Sequence, residues 1–203
     1  MRPIIAFDRV SADGYFASAD GKLDWVVPDE ELDKSAGESI AEGGADTILF
    51  GRTTYQMFES FWPNALKESK NGGAEDPHRP GHKSASMRAM AEFINSAKKI
   101  VWSHTLKNVT WENSQLIRNF DPREVEAMKK APGKAMMIFG SGSIVSKLTE
   151  HGLIDEYHFI VNPVILGEGK KLITDVHDCK RVKLAESKAF PSGNVLLRFA
   201  RMA

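Results

Sequence analysis

Residues 135–171 read AMMIFGSGSIVSKLTEHGLIDEYHFIVNPVILGEGKK. Ala135 to Phe139 is an unbroken apolar run of strand length, the pattern of a strand covered on both faces. Gly140-Ser141-Gly142-Ser143 interrupts it. Ile144, Val145, Leu148 and His151 then recur on neighbouring helical turns, and Gly152 is placed to stop that helix. The run from Tyr157 to Leu166 predicts another strand. A strand, a glycine turn and a helix start leave backbone N–H groups at the turn, where a phosphate or pyrophosphate binds. The same glycines also suit a tight turn and nothing more. A Rossmann fingerprint needs a third glycine where Val145 stands, and Gly167-Glu168-Gly169-Lys170 lacks the spacing and hydroxyl residue of a P-loop. A nucleotide site here therefore belongs to a different fold.

The chain has 203 residues, enough for one α/β domain spanning 1–203 with a full core. Lys plus Arg and Asp plus Glu each number 27, so no net basic field draws nucleic acid or an anionic membrane. No apolar run reaches the ~18 residues of a membrane helix, and Arg2-Pro3-Ile4 does not open a signal peptide. Cys179 is the single cysteine and has no partner for an internal disulfide, which fits a cytoplasmic protein.

Two further strands end in the same way as the one at 135–139. Thr47 to Phe50 runs into Gly51-Arg52-Thr53-Thr54, with Thr53 or Thr54 as the expected helix cap. Lys99 to Trp102 runs into Ser103-His104-Thr105. Three such turns on one edge of a mostly parallel sheet converge on one ligand, because ligands bind outside the carboxyl ends of the strands. Elsewhere, Ile4 to Phe7 predicts a central strand emptying into a loop from Asp8 to Gly21. Leu32 to Glu42 predicts a helix, with Pro28-Asp29-Glu30-Glu31 at its positive end. Trp62 to Ser86, rich in proline, glycine and charge, predicts a long exposed loop; Pro80-Gly81 between His78 and His82 argues against a helical metal site there. Met87 to Ala97 predicts a helix and Val109 to Trp111 a short strand. Asp121-Pro122-Arg123-Glu124 starts a helix. Arg181 to Ala189 and Asn194 to Met202 predict a C-terminal hairpin.

These residues resemble the dihydrofolate reductase-like fold, and within it the branch of riboflavin-biosynthesis reductases. The likeness rests on SADGYFA (11–17), DTILFGRTTYQ (46–56), GSGS (140–143) and GLIDEYHFIVNPVILGEGKKL (152–172), and it covers almost the whole chain. It implies an α/β fold: a mixed, mostly parallel sheet flanked by helices, with a C-terminal β-hairpin and NADPH along the strand ends. By that resemblance Gly51, Arg52, Thr53 and Thr54 lie near the cofactor phosphates, Ser103 lies near its adenosine, and Gly140, Ser141, Gly142 and Ser143 hold the pyrophosphate. It also implies a cis peptide between Gly140 and Ser141, and a homodimer. Phe139 stands where riboflavin reductases carry a glutamate. Glu30 follows Trp25 by five residues, matching the pocket acid of true dihydrofolate reductases. The expected activity is hydride transfer from NADPH to a C=N or C=O group of a small pterin- or pyrimidine-like substrate. Asp13, Glu30 and an ordered water are the candidate proton sources, and Tyr15, Phe16 and Trp25 the candidate pocket walls. The alternative is a non-catalytic nucleotide-binding module on the same fold.

Overall fold

The computed structural model describes residues 1–41, 44–66 and 73–202. The first half of the chain forms β1 (Ile4–Ser11), β2 (Tyr15–Ala17), α1 (Glu30–Ala41), β3 (Ala45–Gly51), α2 (Arg52–Ala65), β4 (Ala74–Asp76), β5 (Arg79–Ser84), α3 (Ala85–Ser96) and β6 (Lys98–Trp102). The second half forms β7 (Ser114–Ile117), α4 (Pro122–Lys130), β8 (Ala135–Phe139), α5 (Gly142–Glu150), β9 (Glu156–Asn162), β10 (Lys170–Lys171), β11 (Val182–Ala189) and β12 (Val195–Arg201).

Among the described residues one sheet of eight strands runs in the order β11-β12-β9-β1-β8-β3-β6-β7. From β9 to β7 every pairing is parallel, while β12 pairs antiparallel with β9, and β11 with β12. The fold is thus mixed and mostly parallel, with the predicted C-terminal hairpin at one margin. The continuous apolar runs occupy the middle, where both faces are covered: Ile48, Leu49, Phe50, Met136 and Ile138 are fully buried. One face packs α2 and α3 through Tyr55, Trp62, Met90 and Ile94, and α1 joins the same side through Leu32 against Phe7. The other face packs α4 and α5 through Val125, Ile144, Val145 and Leu148.

Several predicted boundaries move, each for a local reason. β1 continues through Asp8 and Arg9 to Ser11, paired with Phe159 to Asn162. β9 stops at Asn162 rather than Leu166, because Pro163 has no N–H for the ladder. The expected strand at Val109–Trp111 is absent; the Trp111 N–H donates instead to Tyr55 Oη at 3.1 Å, and the strand forms later, as β7. The expected loop at 62–86 is largely structured. α2 holds Pro63 in its last turn, with the Trp62 carbonyl accepting from Asn95 Nδ2 at 2.9 Å. β4 and β5 form a hairpin with Ala74 and Asp76 buried. Glu42 of the predicted first helix and residues 67–72 of the predicted loop lie outside the described residues.

Candidate functional site

β1 and β8 are neighbouring parallel strands whose following connections leave to opposite faces: β1 leads to α1 on one side, and β8 leads to α5 on the other. This is the switch point at which an open α/β sheet has a crevice at its strand ends. Strands β8, β3 and β6 end beside one another there, at Gly140, Gly51 and Ser103.

The Gly140–Ser143 turn is built by backbone conformation. Gly140 and Ser141 both take left-handed φ, 64° and 66°. For serine that conformation is unfavourable, and Ser141 is held in it by burial and by its Oγ, which accepts the Gly51 N–H at 2.9 Å. The peptide between Gly140 and Ser141 is trans, which corrects the cis bond implied by resemblance; the left-handed pair makes the reversal instead. The N–H groups of Ile144 and Val145 return to the Ser141 carbonyl, and those of Gly142 and Ser143 head the helix.

The three turns are physically joined. A Cβ on Gly51 would stand 3.1 Å from Ser143 Oγ, and one on Gly140 would stand 3.8 Å from Thr54 Cγ2. Arg52 Nη1 donates to Thr105 Oγ1 at 2.7 Å, linking the ends of β3 and β6. Ser103 Oγ accepts the Leu106 N–H at 3.0 Å and so fixes the third turn. Thr53 and Thr54 do not cap α2, as had been expected; Gly51 is the cap residue and no side chain bonds there. α5 is likewise uncapped by any side chain, and neither helix has an acid in its first turn. By contrast α1, α3 and α4 are capped by Asp29, Ser84 and Asp121. The two helices that start at these strand ends are thus the two whose first turns no side chain caps among the described residues.

Two ionisable residues of β1 escaped the sequence reading, which placed them in a loop. Asp8 is 2 % exposed and its Oδ1 accepts the Gly140 N–H at 2.9 Å; burial pushes its carboxyl up to about 7. Arg9, on the opposite face, donates from Nη2 to Asp33 Oδ1 at 2.9 Å, while Nη1 is buried with no partner among the described residues. Asp29 and Asp76 lie close enough to act on the Arg9 guanidinium, and burial holds the neighbouring His78 down at about 4, hence neutral. A charged pair inside an otherwise apolar strand is the signal that could have located this place.

The proposed proton donors stand differently. Asp13 accepts from Ser11 Oγ at 2.6 Å, Leu166 N–H at 3.1 Å and Gly167 N–H at 2.7 Å, and these donors, the serine first, hold its carboxyl low. Glu30 is 71 % exposed, pairs with Arg79 at 3.1 Å, and borders a pocket of about 520 Å³ with Pro28, Asp29, Glu31 and Pro191. Tyr15 on β2 and Trp25 are half-buried, and Trp25 Nε1 donates to the Lys22 carbonyl at 3.2 Å. The structure brings the phosphate-side residues together; the hydrogen bonds and ion pairs of Asp13 and Glu30 go elsewhere.

Comparison with known proteins agrees with this architecture. The family model described as RibD C-terminal domain matches residues 2–196. The uncharacterised protein YyaP of Bacillus subtilis (strain 168) is 30 % identical over 196 residues, 96 % of this chain and 93 % of that one. A solved protein of Shewanella sp. PV-4, described as a candidate riboflavin biosynthesis protein, superposes with a TM-score of 0.72 at 20 % identity, covering 99 % of both chains. Dihydrofolate reductase from Enterococcus faecalis, solved with NADP(H), gives 0.60 at 12 % identity, covering 99 % of this chain and 97 % of that one.

Proposed function

The chain belongs to the RibD C-terminal domain family, and we propose that it is an NADPH-dependent reductase acting on a C=N or C=O group of a small pterin- or pyrimidine-like heterocycle. The supporting observation is the junction of three strand-end turns, where two uncapped, acid-free helix starts and Arg52 surround one crevice. An extended anion with a phosphate at one end and a pyrophosphate in its middle matches that set. The N–H groups of Gly142 and Ser143 take the pyrophosphate. Arg52, with Thr53, Thr54 and Ser103 around it, takes the adenosine-side phosphate. NADPH, when bound, supplies the hydride. The protein positions the reacting partners and excludes water, with Tyr15 and Trp25 as walls. Glu30 or an ordered water delivers the proton to the reduced atom. Asp13 is held ionised by its three donors, so its part in proton delivery runs through a water. The protein works as a cytoplasmic homodimer on this reading.

Stopped-flow or steady-state NADPH oxidation against a panel of pterins, pyrimidines and related imines tests the proposal. Acceptor-dependent oxidation above background is the expected result. NADPH binding without oxidation by any acceptor favours the non-catalytic nucleotide module instead.

A further inference from the structure

Strand positions 4, 6 and 8 of β1 share one face, and the first two are Ile4 and Ala6, both fully buried in the α5-side core. Asp8 is the third, where packing alone calls for an aliphatic residue. The β1–β8 ladder ends at the Phe7–Phe139 pair, and the next donor along β8, the Gly140 N–H, goes to Asp8 Oδ1. The carboxyl thus fills the fork where the two strands part, directly under the Gly140–Ser143 turn. Its Oδ2 is buried with no hydrogen-bond partner among the described residues. A carboxylate with one bare buried oxygen is costly, and nothing in the packing requires it.

We propose that Asp8 is a proton-linked positioning residue: it holds Gly140, and an anion docks at Gly140–Ser143 tightly only when Asp8 carries a proton. This rests on the reading of that turn as the pyrophosphate site.

Among the described residues no charged side chain offsets Asp8. Burial and the Gly140 N–H are the influences on its carboxyl, which together leave it near 7. On β1 itself, Arg9 turns to Asp33 on the other face. On β9, His158 is engaged with Glu156, and Glu156 also with Arg198. On α5, Lys147 lies over the Phe120 ring and Glu150 pairs with His177. β8 and β2 carry no ionisable side chain except Tyr15. A pyrophosphate arriving a few ångströms away adds a like charge, which disfavours the carboxylate further and raises the carboxyl's affinity for its proton. Below pH 6 Asp8 is already protonated, so binding is unaffected. Above 7 each bound anion brings a proton with it, and affinity falls by up to about tenfold per pH unit until the bound-state value is reached.

Calorimetric titration of the full chain with NADPH, at pH 6 to 9 and in two buffers of different ionisation enthalpy, tests this. The wild type should take up about one proton per NADPH at pH 8 and weaken by about tenfold or more between pH 7 and 8.5. Asp8→Asn, which keeps an oxygen for Gly140, should show neither effect. Equal uptake in the two proteins, or none in the wild type, overturns the role of Asp8 while leaving the cofactor reading intact. Failure of NADPH to bind either protein at any pH overturns the cofactor reading itself, and this proposal with it. Should the variant not fold, carbon-detected NMR of the wild-type aspartates decides the matter. One carboxyl titrating near 7 and moving upward with NADPH supports the proposal, and its absence refutes it.

Discussion

Asp8 and Arg9 are adjacent in sequence and face opposite sides of one strand, so each has a separate environment. An apolar-run reading ends the strand at Phe7, because charge is the ordinary mark of a loop. Here the two charges are carried inward at the sheet's switch point, one to Gly140 and one to Asp33. Polarity inside β1, and not the glycines alone, therefore stands at these strand ends. Arg52 stands where its sequence neighbourhood puts it, at the turn from β3 into α2. Its guanidinium reaches Thr105 and stays at the surface. Arg52→Ala should weaken NADPH binding by roughly 1.5–3 kcal/mol, the scale of a charged hydrogen bond, and leave NADH nearly unchanged. Titration of both cofactors checks it; equal losses for NADH and NADPH would remove Arg52 as the discriminating group.

At the scale of elements, the glycine turns and central strands were readable because periodicity and turn chemistry agree there. The β4–β5 hairpin was not. Its strands carry Glu75, Asp76, Arg79 and Lys83 rather than alternating apolar residues, and it is held by pairing and by the buried Asp76, whose carboxylate accepts the His78 N–H at 2.8 Å. β7 was missed for a similar reason, since its residues are only partly buried and show no clean alternation. The turn before α5 depends on close approach as well as on conformation. A Cβ at Gly142 would meet the Leu172 carbonyl oxygen at 3.0 Å and the Phe16 ring at 3.1 Å. Gly142→Ala should therefore destabilise the protein by about 1–3 kcal/mol through overpacking, read as a lower midpoint in chemical denaturation. An unchanged midpoint would mean that the segment around Leu172 yields freely.

For the whole molecule, strand order could not be read from local pattern. The insertion of β8 between β1 and β3 is a long-range fact that no local periodicity carries. The margin of the sheet has its own consequence. β11 is exposed over nearly its whole length, including Val182 and Leu184, and an edge strand with that surface is disposed to pair or pack with another copy. Light scattering at micromolar concentration should give twice the chain mass; a monomer mass across that range would count against the homodimer.

The most direct measurement of the central claim is a crystal structure of the protein grown with NADPH. Pyrophosphate oxygens should stand at about 2.7–3.1 Å from the N–H groups of Gly142 and Ser143, with the ribose phosphate on Arg52. The nicotinamide should then lie toward the β1–β8 fork. A nucleotide seated instead among Pro28, Glu30 and Arg79, or none bound at saturating NADPH, would contradict it.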